Sequence, residues 1–359
     1  RTNHKRGRMS ARILVGISTY NDFQHLTLLL HSIRLYTVLQ ERFDIVVCDD
    51  GSRTEFLNGT DATAQYEMIG DDRVDVNSIR GTCKKFGATL IEHGTNKGIP
   101  ATWNQLCNSL GAQSEIIVVL NNDLLMVPQW LTVAVDFLDR NKDNPHVGSC
   151  FWNPFNGFPI EMMKSMLPEL THTIYASAYI TTGRERSLDS MRSLFDAREG
   201  HNQGMGRVMC PCGCCFAFRR EVFNEVGPFD ELMTSFHEES DWGTRCADHG
   251  RIALGFPWPR PYHKHGAAFA INPELNASER MRDSRRRYRE IWKVPENIAG
   301  DKYFDYVNAQ LMSRIPPVTV SFLAPDYDQA PTKCTLQNQS GELMLPTLVR
   351  HERTYEYHA

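Results

Sequence analysis

Four short runs of branched apolar residues, each closed by a polar cluster and followed by a helical pattern, constrain this chain more than any other feature. RILVGI (12–17), FDIVVC (43–48), ATLIEH (88–93) and EIIVVL (115–120) have the length and branching of buried strands. Behind the first, Asn21 and Asp22 can cap a helix in which Leu26, Leu29, Leu30 and Ile33 fall on one face. Pro100 sits at the first turn of a second helix with Gly111 past its end, and Pro128 opens a third that runs to about Arg140. This alternation predicts an α/β fold, a Rossmann-like and mostly parallel sheet flanked by helices, with ligand sites at the carboxyl ends of the strands. From 150 to 208 the pattern weakens. CGCCFAFRREVFNEVGPFDE then restores a strand and a short helix, 276–292 reads as helical, and residues beyond about 295 read as irregular.

Polar residues stand where each strand ends: Ser18-Thr19-Tyr20-Asn21, Asp49-Asp50-Gly51-Ser52, Thr95-Asn96-Lys97-Gly98 and Asn121-Asn122-Asp123. One such cluster is an ordinary loop; four at one sheet edge make a cleft fit for a nucleotide. A net charge of -4 gives no general pull toward nucleic acid or anionic membrane. No stretch approaches the roughly 18 apolar residues of a membrane span. Ten cysteines without a regular framework predict reduced thiols and a cytoplasmic setting. Met9 reads as a natural start, which makes 1–8 an extraneous or disordered tail.

The pieces ILVGISTYN, VVCDDGS, GTNKGIPATWN, IIVVLNND, FRREVFNEVGPFDE, HEESDWGTR and YHKHG, in this order, resemble the family-two glycosyltransferases with the GT-A fold. The resemblance covers roughly 11–270, and implies a GT-A domain over 9–270 with a helical or irregular extension over 271–359. It implies an inverting transfer from a nucleotide-diphosphate sugar to a hydroxyl-bearing acceptor. Thr19, Tyr20, Asn21, Asp49, Asp50, Asn96, Gly98, Asn121 and Asn122 then fall on the donor side.

Asn121-Asn122-Asp123 stands in the place of the family's metal-binding Asp-x-Asp. A pyrophosphate leaving group needs a divalent cation to absorb its charge, and Asp123 is a hard oxygen ligand for Mn²⁺ or Mg²⁺. Asn121 departs from the family's aspartate but can offer its carbonyl. His263 is the further ligand the family pattern suggests, with His265 as its alternative. By the same pattern Glu239 takes the acceptor's proton, with Glu238 and Asp241 as competitors for that role. Trp242 and Gly213 fall on the acceptor side, although Trp242 serves equally well as a core residue.

Two clusters remain open. Cys210, Cys212, Cys214 and Cys215 do not match the spacing of structural zinc sites. On a strand Cys215 would face away from the other three, so buried thiols are expected rather than a metal. Six arginines between Arg280 and Arg289 read as a solvated face paired with Glu279, Asp283 and Glu290, with a phosphate or nucleic-acid contact left open. A dehydrogenase would carry G-x-G-x-x-G after its first strand, and VGISTYN has one glycine. The same gap argues against a sugar nucleotidyltransferase. A non-catalytic nucleotide-sugar binding module is the remaining rival.

Overall fold

The computed structural model describes residues 12–37, 43–62, 64–108, 113–157, 206–208, 211–256, 259–299, 302–316, 318–325 and 350–357. The tail 1–8, Gly111, most of the 150–208 stretch and Cys210 lie outside them.

In chain order the strands are β1 (Ile13–Thr19), β2 (Phe43–Asp49), β3 (Tyr66–Ile69), β4 (Asp72–Asp75), β5 (Thr89–Glu92), β6 (Ile116–Asn121), β7 (Leu124–Leu125), β8 (Val147–Trp152), β9 (Phe155–Asn156), β10 (Gly206–Val208), β11 (Cys215–Arg219), β12 (Ile252–Phe256), β13 (Tyr262–His263), β14 (Val318–Pro325) and β15 (Arg350–Tyr357). The helices are α1 (Phe23–Tyr36), α2 (Thr54–Leu57), α3 (Ile79–Lys85), α4 (Ile99–Asn108), α5 (Trp130–Arg140), α6 (Arg220–Val226), α7 (Glu238–Asp248), α8 (Ala267–Ile271), α9 (Ala277–Ile291) and α10 (Lys302–Met312).

One eight-stranded sheet, ordered β10-β12-β8-β11-β6-β1-β2-β5, organises the molecule. β1, β2, β5 and β6 run parallel, while β11 runs against both β6 and β8. The four predicted strands are β1, β2, β5 and β6, and they form one contiguous half of the sheet. Their apolar runs are unbroken because both faces are covered. Ile13, Val15 and Ile17 join one core with Leu26, Leu29 and Ile33 of α1, while Leu14 joins a second with Trp103 and Leu106 of α4. Gly16 lets α4 close on β1: a Cβ there would stand 3.1 Å from Leu106.

From β1 the chain moves outward through β2 to β5, then returns to β6 on the other side of β1. The resulting switch point lies between the carboxyl ends of β1 and β6, where open α/β sheets bind ligands. Asn122 spans it, donating to Thr19 Oγ1 at 3.4 Å.

Asp22 caps α1 by accepting from the His25 amide at 3.1 Å. Asn21, expected to share that duty, instead takes a left-handed backbone. The exposed β3–β4 hairpin went unpredicted, because YEMI and DRVD lack a continuous apolar run. Beyond residue 295 the chain is more regular than expected: α10 is followed by the antiparallel pair β14–β15. Tyr303, Val307 and Leu311, spaced four apart on α10, enter the same core as β1 and α1.

Candidate active site

At the donor edge, short polar bridges tie the strand ends together. Asp50 accepts from the amides of Lys97 and Gly98 at 2.8 and 2.9 Å, locking the end of β2 to the loop that carries Asn96. Asp49 accepts from the Ser52 amide at 2.9 Å and from its hydroxyl. Burial pushes both carboxyls above their ordinary range, and these donors pull back only part of the way. Gly98 is required by its positive φ and by a close approach: a Cβ would stand 2.5 Å from the Thr234 carbonyl oxygen. Asn96 accepts from Arg280 at 3.2 Å. Thr19 is buried, and Tyr20 is half-buried at the rim.

Two of the predicted donor contacts are braces instead. Asn21 is wholly buried, donates to Asn272 Oδ1 at 2.6 Å and accepts from the Arg53 amide at 2.8 Å, so both ends of its amide are spent. Asn122 turns inward to Asp22 Oδ2 at 3.1 Å. Asp22 itself forms a buried pair with His25 at 2.8 Å, and the pair lies close enough to Asp123 for His25 to feel its charge. The sequence marks Asp22 as a cap; His25, in the first turn of α1 and buried, is signalled only by its inward-facing position.

Asp123 lies two residues past β6 and is brought against His263 by the pairing of β7 with β13, where Leu124 stands opposite His263. His263 Nε2 lies 3.0 Å from Asp123 Oδ1, and the Ala267 amide reaches the other oxygen at 3.4 Å. Burial alone would raise the Asp123 carboxyl. The His263 charge and hydrogen bond outweigh it, and the carboxyl stays below its usual range. His263 responds in kind, held up by Asp123 against the pull of burial. Two residues before Asp123, Asn121 Oδ1 is buried without a hydrogen-bond partner. A carboxylate and an imidazole in contact, with an orphaned carbonyl oxygen two residues away along the chain, are donors of the kind that Mn²⁺ or Mg²⁺ takes.

The second acidic group stands at the start of α7, which begins with Glu238 and Glu239. A helix N-terminus favours acids, but burial outweighs it here. Glu238 is driven far above the ordinary carboxyl range by burial and then by Glu239, and its Oε2 has no partner. Glu239 is half-buried and is pushed up to about 7, chiefly by burial and then by the charge of Cys212. It rests on the turn that holds Gly213: a Cβ at Gly213 would lie 2.9 Å from Glu239 Cγ and Cδ. That turn connects the two halves of the site. Cys214 accepts the Asn121 amide at 2.9 Å, and the charge of Cys212 is felt by both Glu239 and His263.

The model of glycosyl transferase family 2 matches residues 14–227, which carry the β1, β2 and β6 ends just described. The chain belongs to glycosyl transferase family 2.

Among solved structures, TarS of S. aureus is similar at 15% identity and a TM-score of 0.46, over 84% of this chain and 43% of that one. The mannosyltransferase PcManGT from Pyrobaculum calidifontis, solved with GDP-Man and Mn²⁺, is similar at 16% identity and a TM-score of 0.44, over 84% of this chain and 70% of that one. This chain thus spans less than half the length of TarS. No curated protein matches it.

In this glycosyltransferase two candidates from the acid-rich helix are structural. Trp242 is fully buried among Phe216, Phe218 and Phe229, with its indole donating to the Gly227 carbonyl at 3.1 Å. Such a ring has no face left for an acceptor sugar. Asp241 is committed to Arg245 at 2.9 Å and to the Trp292 indole at 3.0 Å, which removes it as a competing base.

The arginines of α9 are largely engaged as well. Arg280 holds Asn96, Arg287 pairs with Asp230 at 2.9 Å, and Arg282 and Arg286 pair with the acids of their own helix. Arg282, Arg285, Arg286 and Arg289 line a cavity of about 610 Å³. No helix among the described residues is long and apolar enough to cross a membrane.

Proposed function

We propose that this glycosyltransferase inverts the anomeric centre of a nucleotide-diphosphate sugar, with Glu239 as general base and a divalent cation at Asp123. The observation that carries the reading is the split between two carboxylates tied to one turn, 212–215. Asp123 is kept anionic beside His263, whereas Glu239 is raised to about 7, where it can both accept and release a proton near neutrality.

Asp123, the Asn121 carbonyl and His263, the last after releasing the proton it shares with Asp123, would hold Mn²⁺ or Mg²⁺, which would supply charge to stabilise the departing diphosphate. Thr19, Tyr20, Asp49, Asp50, Asn96 and Gly98 shape the nucleoside end of the cleft. Glu239 takes the proton of the acceptor hydroxyl as that oxygen attacks from the face opposite the leaving group. Glu238, held protonated and enclosed, keeps a second negative charge away from the base. Gly213 leaves Glu239 the space it occupies and places it on the acceptor side. We assign 9–270 to the catalytic domain and 271–359 to an extension whose α9 reaches the donor loop through Arg280. The free thiols among the described cysteines suit a reducing, cytoplasmic setting.

The test is the anomeric configuration of the first-formed product by NMR, with and without EDTA. Inversion, with transfer abolished by the chelator and restored by Mn²⁺, is expected. A retained configuration, or full transfer in EDTA, would contradict the proposal.

A further inference from the structure

The cysteine cluster does not sit on a strand. β11 begins only at Cys215, and Gly213-Cys214 form a turn closed by the Cys215 amide donating to the Cys212 carbonyl at 3.2 Å. The expectation that Cys215 faces away from its neighbours fails for that reason. The turn folds Cys212 back over the other two, with Sγ–Sγ distances of 3.4 Å to Cys214 and 3.5 Å between Cys214 and Cys215. All three sulfurs lie within 4.8 Å of one another.

We propose that Cys212, Cys214 and Cys215 form a three-thiolate site for one thiophilic cation of the zinc class, separate from the hard-cation site at Asp123. Zinc bound tetrahedrally at about 2.3 Å per sulfur needs sulfurs about 3.8 Å apart, within the spread observed here. The convergence is built by the backbone turn, so only small side-chain adjustments remain on binding. An all-sulfur set selects zinc, cadmium or cuprous ions over Mg²⁺ and Mn²⁺, which prefer oxygen.

Binding forms three metal–sulfur bonds and releases the thiol protons still present to solvent. Cys214 and Cys215 are buried and Cys212 is half-buried, so Cys212 forms the open edge through which a cation enters. Glu239 rests on the same turn. A cation there stands beside the proposed base and offers it a fourth coordination position, so occupancy suppresses transfer.

The test titrates the reduced 359-residue chain with Cd²⁺ alone, following the ultraviolet sulfur-to-cadmium charge-transfer band. One Cd²⁺ per chain, unaffected by excess Mg²⁺, is expected. Cys212→Ser should weaken that binding at least ~10-fold with the far-ultraviolet dichroism unchanged. On the unaltered chain, one equivalent of Zn²⁺ should slow alkylation of Cys212 by a similar factor. This readout decides the question even if the serine variant does not fold, and neither readout depends on transferase activity. Absence of the band, equal Cd²⁺ affinity in a folded Cys212→Ser chain, or an unchanged alkylation rate would overturn the proposal.

Discussion

The tip of β6 and the start of α7 each place an acid against the turn that carries Gly213 and Cys214, and the chain treats the two acids in opposite ways. Asp123 has a cationic partner in His263 and stays ionised despite its burial. Glu239 is desolvated near the charge of Cys212, and its ionisation is postponed to about 7. Desolvation acts on both; the sign of the nearest charge decides the outcome. What separates a cation ligand from a proton acceptor here is therefore the neighbour each backbone element supplies. β13 delivers an imidazole, and the turn before β11 delivers the Cys212 sulfur.

The sharpest way to break this contrast is to remove the anionic member. Asp123→Ala should reduce transfer by roughly 10³–10⁴-fold, the equivalent of the several kcal/mol that charge stabilisation by a cation contributes. Calorimetric titration should show that Mn²⁺ no longer strengthens nucleoside-diphosphate binding.

A smaller loss is expected from moving the other member without deleting it. Gly213→Ala places a methyl 2.9 Å from Glu239 Cγ and Cδ. It should lower kcat by roughly 10–10²-fold through misplacement of the base, at a cost of about 1–3 kcal/mol in stability. Steady-state kinetics and a melting curve on the same sample separate the two effects.

The mildest effect concerns folding alone. Glu239 has its pKa raised from 4.5 to about 7, so the unfolded chain loses this proton before the folded one does. Stability from this group is therefore complete below about 4.5 and is lost as pH rises through about 7. Glu239→Gln, which cannot ionise, should match the parent's unfolding free energy at low pH and exceed it at pH 8, by on the order of 3 kcal/mol. Equal pH dependence in the two proteins would show that burial does not govern Glu239.

The sequence disclosed the donor half more fully than the acceptor half, for a physical reason. Both faces of β1, β2 and β6 are covered, so their apolar runs are continuous and the polar residues that end them stand out. Asp123 and His263 were legible as a pair through the resemblance; that β7 and β13 join them was not, since a two-residue strand leaves no periodic trace. Side-chain direction was the other blind spot. Asn21 and Asn122 occupy the expected edge but turn inward as braces. Trp242 sits among acids yet points into the aromatic core, which a helix with charged residues on both sides conceals. Cys212, Cys214 and Cys215 share a turn where a strand was expected, and strand alternation therefore gave the wrong neighbours. The helix α10 was readable in retrospect from Tyr303, Val307 and Leu311, but the prolines around it drew attention to irregularity.

The reading rests most directly on the pH dependence of kcat/KM for the parent chain and Glu239→Gln under saturating Mn²⁺. The parent should gain activity as pH rises through about 7. The variant should lose that limb and fall by roughly 10²–10⁴-fold, while its affinity for the nucleoside diphosphate stays unchanged. Full turnover in Glu239→Gln, or the same rising limb in both proteins, would contradict the assignment of Glu239 as the group that takes the acceptor's proton.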